Sequence, residues 1–424
     1  MAKESWLAQA TGAGSFCSGC GTAELSRAVL QHVVNQTGHV TMDIPTLFMW
    51  DLDHRCQTLL QESALWVRDV TGHDPADTCL FGDMMQIFEN RQLLVNGGDF
   101  SKKLGTVREL GLQGSSCAPC LMHNTHCCIR KPAQFCISGL PCPDFSTAGK
   151  RLKREGPTNV VYLAHGHYHK VNRTPLLLIE CTKDLDLGMV EDCHVDYDFY
   201  QLFSEPSDFG FGGTARYRTW LMGARRESTS CQSDPFDVYN DIVARFRDSD
   251  ISTQVNHYLV ASDTEIKMEA AQLALDRGLD SFKPGETPLE YLLNTRERVT
   301  LDSLNQKYLV RYGADPSLQE NLVYFLGDSA DYQSWSAVSG KIPTFRLNSR
   351  TGKYWLPARG RWLTAKERLT ALGFPTTSEV AASMQVPPIG AVDVQRASDI
   401  CGNSMHFQTC GIMQLLTLAC FGPS

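Results

Sequence analysis

The sequence has no long hydrophobic run, no export signal and no excess of basic residues. No window approaches the roughly 18 continuous apolar residues that a membrane-spanning helix needs, which excludes such a helix. The start, MAKESWLAQATGAG, lacks a basic flank followed by an apolar core, so we expect no secretory signal. The net charge of -8 excludes a protein that coats nucleic acid by bulk electrostatics, although it leaves room for a local basic cleft.

The sequence does contain an ordinary apolar fraction and many cysteines. Apolar residues make up 42% of the 424 residues and charged residues 20%, which is typical of a globular protein with a sizeable core. The 16 cysteines would indicate a disulfide framework in a short secreted chain. In a long chain without an export signal they predict free thiols instead, with at most one metal site.

Short apolar runs alternate with helix-length segments over the first half of the chain. The strand-length runs are 14–19, 46–53, 78–84, 133–141, 175–181 and 218–225. Helices are predicted between several of them, at 24–36 and 159–172. This alternation predicts crossover units and an α/β fold with a doubly wound, mostly parallel sheet covered on both faces.

The composition changes in the second half, which becomes richer in charge, Asp and Ser. We expect the first part of a catalytic domain at 1–226 and a smaller inserted domain at 227–342, with a helix at 265–279. The chain then returns to the catalytic domain at 343–424 and ends in a helix over 403–421. No internal repeat is present, so a solenoid is excluded.

Glycines and acidic residues follow the first three predicted strands. The SGCG loop (18–21) opens a helix, where glycines let a backbone approach a nucleotide-like ligand; a structural turn is the alternative. Asp51 ends the second strand, where an acid accepts hydrogen bonds from ribose hydroxyls; a helix N-cap is the alternative. Asp83 follows the third strand and suits hydrogen bonding to an adenine. In this order, the three positions predict a nucleotide-containing ligand.

A nucleophile and an acid follow the next two predicted strands. Cys142 lies in GLPCPDFSTAGK after the fourth strand, and Glu180 ends the fifth in LLLIEC. A thiolate beside a carboxylic acid suits covalent addition to an electron-poor ring, because the acid protonates the ring as sulfur adds. Arg216 and Arg218 alternate before the next strand, so we expect both on one face, where they can bind phosphate or a ring carbonyl.

These motifs, in this order, resemble the cytosine-C5 DNA methyltransferase family. The matching segments are SGCG, WDLD, FGDM, GLPCPDFSTAGKR, LLLIEC, ARYR, RWLTAKERLTALGFP and CGNSMHF, over 1–226 and 343–424. The resemblance implies a Rossmann-like class I methyltransferase that moves a methyl group from S-adenosylmethionine to C5 of cytosine in DNA. Cys142 would attack C6 of a flipped-out base, Glu180 would engage N3 and the exocyclic amine, and loss of the C5 proton would release the enzyme.

The resemblance also implies roles for individual residues. The catalytic set is Cys142, Glu180, Arg216 and Arg218. The cofactor-binding set is Cys17, Gly19, Gly21, Asp51, Leu52, Asp83, Met84, Pro141, Asn403 and Ser404. The inserted domain at 227–342 stands where the family has its target-recognition domain. The basic residues Lys150, Arg151, Lys153 and Arg154 follow the catalytic loop and are expected to contact phosphates, with a solvated loop as the alternative.

Several residues depart from the family's pattern. Cys17 replaces an aromatic that stacks on the cofactor, and Leu52 is apolar but less able to stack. Cys181 and Thr182 replace Asn-Val, whose asparagine supports the loop around the catalytic cysteine, and Thr214 replaces a glutamine. These departures favour one alternative, a catalytically silent nucleic-acid-binding relative. The other alternative keeps the chemistry and changes the substrate, since one eukaryotic branch of this fold methylates tRNA with a reduced recognition domain.

Two histidine-containing segments offer metal ligands. The segment CAPCLMHNTHCC (117–128) supplies the thiolate and imidazole groups that zinc prefers, but its spacing is too compressed for a standard zinc finger. We therefore favour a cysteine-rich loop packed near the active site, without metal, and keep bound zinc as the alternative. For HGHYH (165–169) we expect a solvated helix face.

The expected partner is DNA, with RNA as the alternative. We expect no membrane association and a monomer on its substrate. The expected location is intracellular, in the nucleus of a eukaryote or the cytoplasm and nucleoid of a prokaryote.

Overall fold

The computed structural model describes residues 4–95, 98–109, 114–146, 149, 151–279, 283, 288–328, 340–346, 353–390 and 394–424. The chain forms two compact units. The first comprises 1–204, 217–244 and 409–424, and the second comprises 205–216 and 245–408. No helix within the described ranges is both long and apolar enough to cross a lipid bilayer.

The first unit is built on a nine-stranded sheet. Its strands are β1 (Ala13–Phe16), β2 (Thr46–Trp50), β3 (Cys79–Phe81), β4 (Cys117–Cys120), β5 (Thr125–Cys128), β6 (Phe135–Gly139), β7 (Leu176–Thr182), β8 (Tyr197–Ser204) and β9 (Arg218–Arg225); a short strand β10 (Thr229–Cys231) follows. They lie in the order β5-β4-β3-β2-β1-β6-β7-β9-β8. Strands β1, β2, β3, β6 and β7 are parallel, while β4, β5, β8 and β9 pair antiparallel. This is a Rossmann-like, doubly wound α/β fold, which confirms the predicted fold class.

Helices precede, connect and follow the strands of this sheet. In chain order they are α1 (Trp6–Gln9), α2 (Thr22–Gln36), α3 (His54–Thr71), α4 (Gln92–Val95), α5 (Phe100–Glu109), α6 (Asn159–Asn172), α7 (Leu187–Cys193) and α8 (Pro235–Asp248). The helices predicted at 24–36 and 159–172 are α2 and α6. Each of the six predicted strands is also present, and the centre of β7 is fully buried, as expected for a parallel strand covered on both faces.

The register of the sheet brings the carboxyl ends of the parallel strands to one edge. Trp50, the last residue of β2, lies opposite both Phe16, which ends β1, and Phe81, which ends β3. Gly139, which ends β6, lies opposite Glu180 near the end of β7. The strand order reverses between β1 and β6, and a ligand of a doubly wound sheet binds beside such a switch point.

The prediction of a solvated helix face at 165–169 is wrong. His165 and His169 on α6 are completely buried, and so is His194, which follows α7. Their rings satisfy one another: His165 Nδ1 lies 2.7 Å from His194 Nε2, and His165 Nε2 lies 2.7 Å from Ser138 Oγ. A buried polar group is tolerated when it is hydrogen-bonded, and here the partners come from distant segments.

The second unit contains helices around a three-stranded antiparallel sheet. Its elements are α9 (Asp263–Asp276), α10 (Thr295–Tyr312), β11 (Tyr324–Phe325), β12 (Tyr354–Leu356), β13 (Arg361–Trp362), α11 (Ala365–Ala371), α12 (Ser378–Met384) and α13 (Val394–Asn403). Helix α10 begins at a capping box formed by Asn294 and Glu297, which satisfies two free backbone N–H groups. It ends at Gly313, whose left-handed φ of 64° suits a glycine.

The observed boundaries differ from the predicted ones. Residues 343–408 lie in the second unit, because β12 pairs with both β11 and β13 and Trp355 and Trp362 are buried in the core of that unit. The predicted helix over 403–421 also begins too early: α13 ends at Asn403, and a separate helix, α14 (Phe407–Cys420), follows. A last strand, β14 (Phe421–Pro423), pairs antiparallel with β10 in the first unit.

Candidate active site

The loop between β1 and α2 has a left-handed backbone at three positions. Cys17, Gly19 and Gly21 have φ angles of 49°, 58° and 84°. Glycine adopts this region without strain, which explains the two glycines, whereas a cysteine there is uncommon. Burial raises the pKa of the Cys17 thiol far above its ordinary value, and the nearby Asp51 carboxylate adds to the shift. Cys17 is therefore a neutral thiol.

The Asp51 carboxylate holds this loop against the end of β2. The backbone N–H of Gly19 donates to Asp51 Oδ2 at 2.8 Å, and that of Asp53 donates to Oδ1 at 2.9 Å. Burial raises the pKa of Asp51 to about 6, although the two N–H groups oppose the shift. The N-cap of α3 is Asp53, so the alternative interpretation of Asp51 as a helix cap is wrong.

The next cofactor-set residues lie beyond β2 and β3. Asp83 caps a single helical turn: its Oδ1 accepts the N–H of Met85 at 2.9 Å, and its Oδ2 lies 3.3 Å from Arg91 Nη1. Met84 is buried, whereas the Leu52 side chain is 73% exposed. Leu52 is thus available for contact with a ligand, and Asp83 already has a structural role.

The loop after β6 presents Cys142 in a tight turn. The N–H groups of Phe145 and Ser146 both donate to the carbonyl oxygen of Cys142, at 3.0 and 2.9 Å. Asp144 is buried, and its Oδ2 accepts bonds from the backbone N–H and the hydroxyl of Thr158, at 2.9 and 2.6 Å. The turn is therefore fastened to the beginning of α6, and the half-buried Cys142 side chain is left partly accessible.

Two side chains that the sequence did not assign to this task support the same loop. The Tyr162 hydroxyl on α6 donates to the carbonyl oxygen of Pro141 at 3.1 Å. Cys181 Sγ lies 3.7 Å from the carbonyl oxygen of Leu140 and 3.6 Å from the Tyr162 hydroxyl. A buried tyrosine hydroxyl needs a hydrogen-bond partner. A tyrosine on the inner face of α6 was therefore the sequence signal from which such a contact could have been predicted.

An ion pair fixes the orientation of the predicted acid. Arg218 Nε lies 3.0 Å from Glu180 Oε1, and both side chains are largely buried. Arg218 begins β9 and lies opposite Thr182 on β7, so it reaches the carboxyl edge of the sheet from an antiparallel strand. The contact is a close ion pair without hydrogen-bond geometry, since the buried Glu180 Oε1 accepts no hydrogen bond within the described part of the chain and so keeps the capacity to accept one from a ligand. Cys142, Glu180 and Arg218 are thus carried by adjacent strands at one edge.

The remaining predicted residues lie in the second unit. Arg216 is outside β9, which begins at Arg218, so the two arginines do not alternate along one strand as expected. A guanidinium nitrogen of Arg216 donates to the carbonyl oxygen of Ser404, and Asn403 ends α13. The roles of Arg216, Asn403 and Ser404 toward ligands stay predictions.

The basic run after the catalytic loop is only partly available for phosphate. Arg154 makes two hydrogen bonds to Asp186, at 2.9 and 3.0 Å, which raise the pKa of the guanidinium and occupy it internally. Arg151 and Lys153 are exposed. Lys150 lies outside the described residues.

The strand order is that of a Rossmann-like, doubly wound α/β fold, and the glycine loop, Asp51 and Cys142 lie at the carboxyl edge of its sheet. No protein-family model and no curated protein matches the chain.

Solved structures do match it. One is a mutant of Spodoptera frugiperda DNMT2, with 10% identity over 96% of this chain and 99% of that chain and a TM-score of 0.43. Others are the Entamoeba histolytica methyltransferase EhMeth (11%, 96% and 97%, TM-score 0.45) and the S. pombe Dnmt2 methyltransferase (10%, 96% and 98%, TM-score 0.45). Similarity at this identity and TM-score supports no assignment of activity or substrate.

Proposed function

We propose that this protein transfers a methyl group from S-adenosylmethionine to C5 of cytosine in DNA. One observation carries the proposal: the sheet register aligns Cys142 after β6, Glu180 on β7 and the Asp51-held glycine loop along one edge. A thiol nucleophile, an oriented carboxyl group and a loop suited to a nucleotide are what covalent methylation of a pyrimidine ring requires. The resemblance of the surrounding motifs to the cytosine-C5 family adds support.

Residues of the first unit fit S-adenosylmethionine. Each Asp51 oxygen accepts one backbone N–H and keeps capacity to accept a ribose hydroxyl. Gly19 and Gly21 give the loop a backbone without side chains beside that carboxylate. The exposed Leu52 side chain offers an apolar surface for an adenine. When bound, the cofactor would supply an electrophilic methyl group.

The side chains at the edge then have distinct tasks. The Cys142 thiolate would add to C6: the S–C6 bond forms as the C5=C6 π bond breaks, while the Glu180 carboxyl group gives a proton to N3 and accepts a hydrogen bond from the exocyclic amine. Arg218 keeps that carboxyl group in position. C5 of the resulting enamine would take the methyl group that the bound cofactor supplies, which leaves the cofactor as a neutral thioether. The C5 proton would then pass to solvent water, the C5=C6 bond would re-form as the S–C6 bond breaks, and the N3 proton would return to Glu180, which restores the thiolate. The base must be flipped out, because the attack comes from above the ring plane.

The loop contacts favour an active enzyme over a silent relative. Cys181 replaces the family's supporting asparagine, yet the adjacent carbonyl of Pro141 accepts a hydrogen bond from Tyr162. The loop is therefore supported from α6 by Tyr162 and from β7 by Cys181, whose thiol donates to the carbonyl oxygen of Leu140. The inserted segment 227–342, most of which lies in the second unit, is the proposed target-recognition part, and its size favours DNA over tRNA as the substrate.

A methyl-transfer assay tests the proposal. Full-length protein would be incubated with tritiated S-adenosylmethionine and either mixed-sequence duplex DNA or bulk tRNA, and the nucleosides separated after digestion. We expect labelled 5-methylcytosine from DNA, no label with Cys142→Ser, and full activity with Cys231→Ser, which alters an exposed cysteine on β10. Label in tRNA alone would show that the substrate is tRNA and not DNA. The absence of label in both, from folded protein that binds the cofactor, would refute the proposal.

A further inference from the structure

Four sulfur and nitrogen ligands converge at the outer part of the sheet, away from the candidate active site. They are Cys79, Cys120, His123 and Cys127, here called the Cys3His cluster. His123 Nδ1 lies 3.2 Å from Cys120 Sγ, 3.3 Å from Cys127 Sγ and 3.7 Å from Cys79 Sγ. All four ligand atoms lie within 4.8 Å of one another. Two segments that are distant in sequence, β3 and the β4–β5 hairpin, therefore place three thiols around one imidazole nitrogen.

These distances match the edges of a zinc tetrahedron. Zinc–sulfur bonds of about 2.3 Å and zinc–nitrogen bonds of about 2.0–2.1 Å place sulfur and nitrogen about 3.6 Å apart at tetrahedral angles. The three observed separations, 3.2 to 3.7 Å, bracket that value. We propose that Cys79, Cys120, His123 and Cys127 bind one Zn²⁺ ion with closed, tetrahedral coordination.

The second ring nitrogen of His123 has the partner expected of a zinc ligand. His123 Nε2 lies 2.7 Å from the carbonyl oxygen of Ala76. A proton on Nε2 that donates to this carbonyl leaves Nδ1 with its lone pair directed at the thiols. Zinc-ligating histidines almost always donate their other N–H to a carbonyl or carboxylate, which fixes the tautomer and the ring orientation.

A cation lies beside the cluster: the Lys131 ammonium is next to Cys79. Three thiolates around a divalent ion leave one net negative charge, and Lys131 offsets it.

The location indicates a structural site. The hairpin of β4 and β5 joins the sheet through a single described residue pair, Phe81 with Cys120. Cys79 begins β3, whereas Asp83 follows the other end of that strand. The metal would fasten the hairpin to the start of β3 and would leave no coordination position open for substrate. Four protein ligands without an open position are typical of structural zinc.

The remaining ligand-type residues of the hairpin are not in the cluster. Cys117, His126 and Cys128 are exposed, whereas Cys120 is buried and Cys127 half-buried. Cys117 and Cys128 lie directly opposite each other, and Ala118 and Cys127 form the next pair, on the other face of the hairpin. The exposed pair therefore provides a matched control with the same residue type in the same hairpin.

Metal analysis of full-length protein tests this site independently of the proposed catalytic activity. After purification without chelator, we expect one zinc per chain by inductively coupled plasma mass spectrometry. We expect Cys117→Ser/Cys128→Ser to keep it and Cys120→Ser/Cys127→Ser to lose at least nine-tenths of it. Protein without zinc after exposure to a zinc buffer, or zinc retained by the second double variant, would overturn the proposal.

A spectroscopic measurement on the unmodified protein covers the case in which that variant does not fold. Exchange of zinc for Co²⁺ should give the visible absorption of a tetrahedral cobalt ion and a thiolate charge-transfer band, both removed by one equivalent of zinc. A spectrum of octahedral cobalt without thiolate bands would also overturn the proposal. Cys127→Ser alone, at a half-buried position, should lose the thiolate intensity in part while the far-ultraviolet circular dichroism stays unchanged.

Discussion

The Tyr162 hydroxyl donates a 3.1 Å hydrogen bond to the carbonyl oxygen of Pro141, the residue immediately before the proposed nucleophile. Tyr162 is completely buried on α6, so its ring cannot move without disturbing the core of the first unit. Cys142 is therefore positioned from the helix that packs under the loop. Catalysis depends on holding a nucleophile in its reactive geometry, so this bond should affect turnover.

Tyr162→Phe should lower kcat about tenfold with little change in the Kd for cofactor, because a tenfold rate loss corresponds to about 1.4 kcal/mol and a buried hydrogen bond contributes about that much. Single-turnover methylation and cofactor titration would measure the two quantities. Tyr168→Phe is the matched control, since the Tyr168 hydroxyl on the same helix donates to Ile129 at 2.9 Å, far along the chain from Cys142. Equal kcat losses in the two variants would contradict positioning by Tyr162.

Much of the candidate site could be predicted because the fold itself carries the information. In a parallel sheet every strand of like direction ends at the same edge, so Asp51 after β2 and Glu180 on β7 could be placed there from periodicity alone. Tyr162 could not, because its role depends on how α6 packs. The prediction for the polar HGHYH segment was wrong for the same reason. The His165 ring is hydrogen-bonded to His194, a residue from a distant segment that no local sequence pattern identifies.

Glu180→Gln should reduce methyl transfer by about 10²-fold or more, because the amide keeps the shape but loses the proton chemistry and the charge that Arg218 orients. Initial rates at saturating cofactor would measure the loss. Asp198→Asn is the control, since it neutralises an equally close carboxylate–arginine pair, with Arg226, at the opposite edge of the sheet, where β8 begins. Similar rate losses in both variants would show that the loss of any such ion pair lowers the rate, which would contradict a specific role for Glu180.

Cofactor binding should weaken as the pH falls through about 6. The folded-state pKa of Asp51 is raised to about 6, so the carboxylate that we propose accepts ribose hydroxyls becomes protonated below that pH. Calorimetric titration with S-adenosylmethionine from pH 5 to 8 would show the decline, and Asp51→Asn should bind weakly at every pH. Asp53 and the neutral Cys17 also face the Asp51 carboxylate. Asp53→Asn is the control, because it keeps Asp51 and should show the same decline in cofactor binding as the pH falls.

The buried histidines should make the protein acid-sensitive. Burial lowers the pKa of His194 to about 4 and that of His165 well below its ordinary value. Since these folded-state pKa values lie below the unfolded value of about 6.5, the stability contribution is complete above pH 6.5 and is lost as the pH falls toward 4. Each such histidine should remove about 1.4 kcal/mol of unfolding free energy per pH unit in that window.

Urea unfolding of the wild type and His194→Gln at pH 7.5 and 5 would measure this loss. The variant should be less stable at pH 7.5 but show a smaller loss between the two pH values. Asp51 acts in the opposite direction, because its raised pKa stabilises the folded state at low pH. This contribution is the same in both proteins, so the test compares the loss of unfolding free energy in the wild type with that in the variant. Equal losses in both would contradict a neutral buried His194.

The ligands of the Cys3His cluster could not be predicted from sequence spacing. The spacing within 117–128 fits no standard finger, and three of its six ligand-type residues, Cys117, His126 and Cys128, are exposed. The ligand that completes the set is Cys79, which the pairing of β3 with β4 brings to the hairpin. A pairing between distant strands had to be known before the fourth ligand could be recognised.

Covalent trapping tests the central claim most directly. Duplex DNA containing 5-fluorocytosine would be incubated with the protein and S-adenosylmethionine and run on denaturing gels, and the adduct peptide would be identified by mass spectrometry. Because fluorine at C5 cannot leave as a proton does, turnover should stop with the base bonded to Cys142. We predict a DNA adduct on Cys142 that depends on cofactor and is absent in Cys142→Ser. An adduct on another cysteine, or none from folded protein that binds both ligands, would contradict the account.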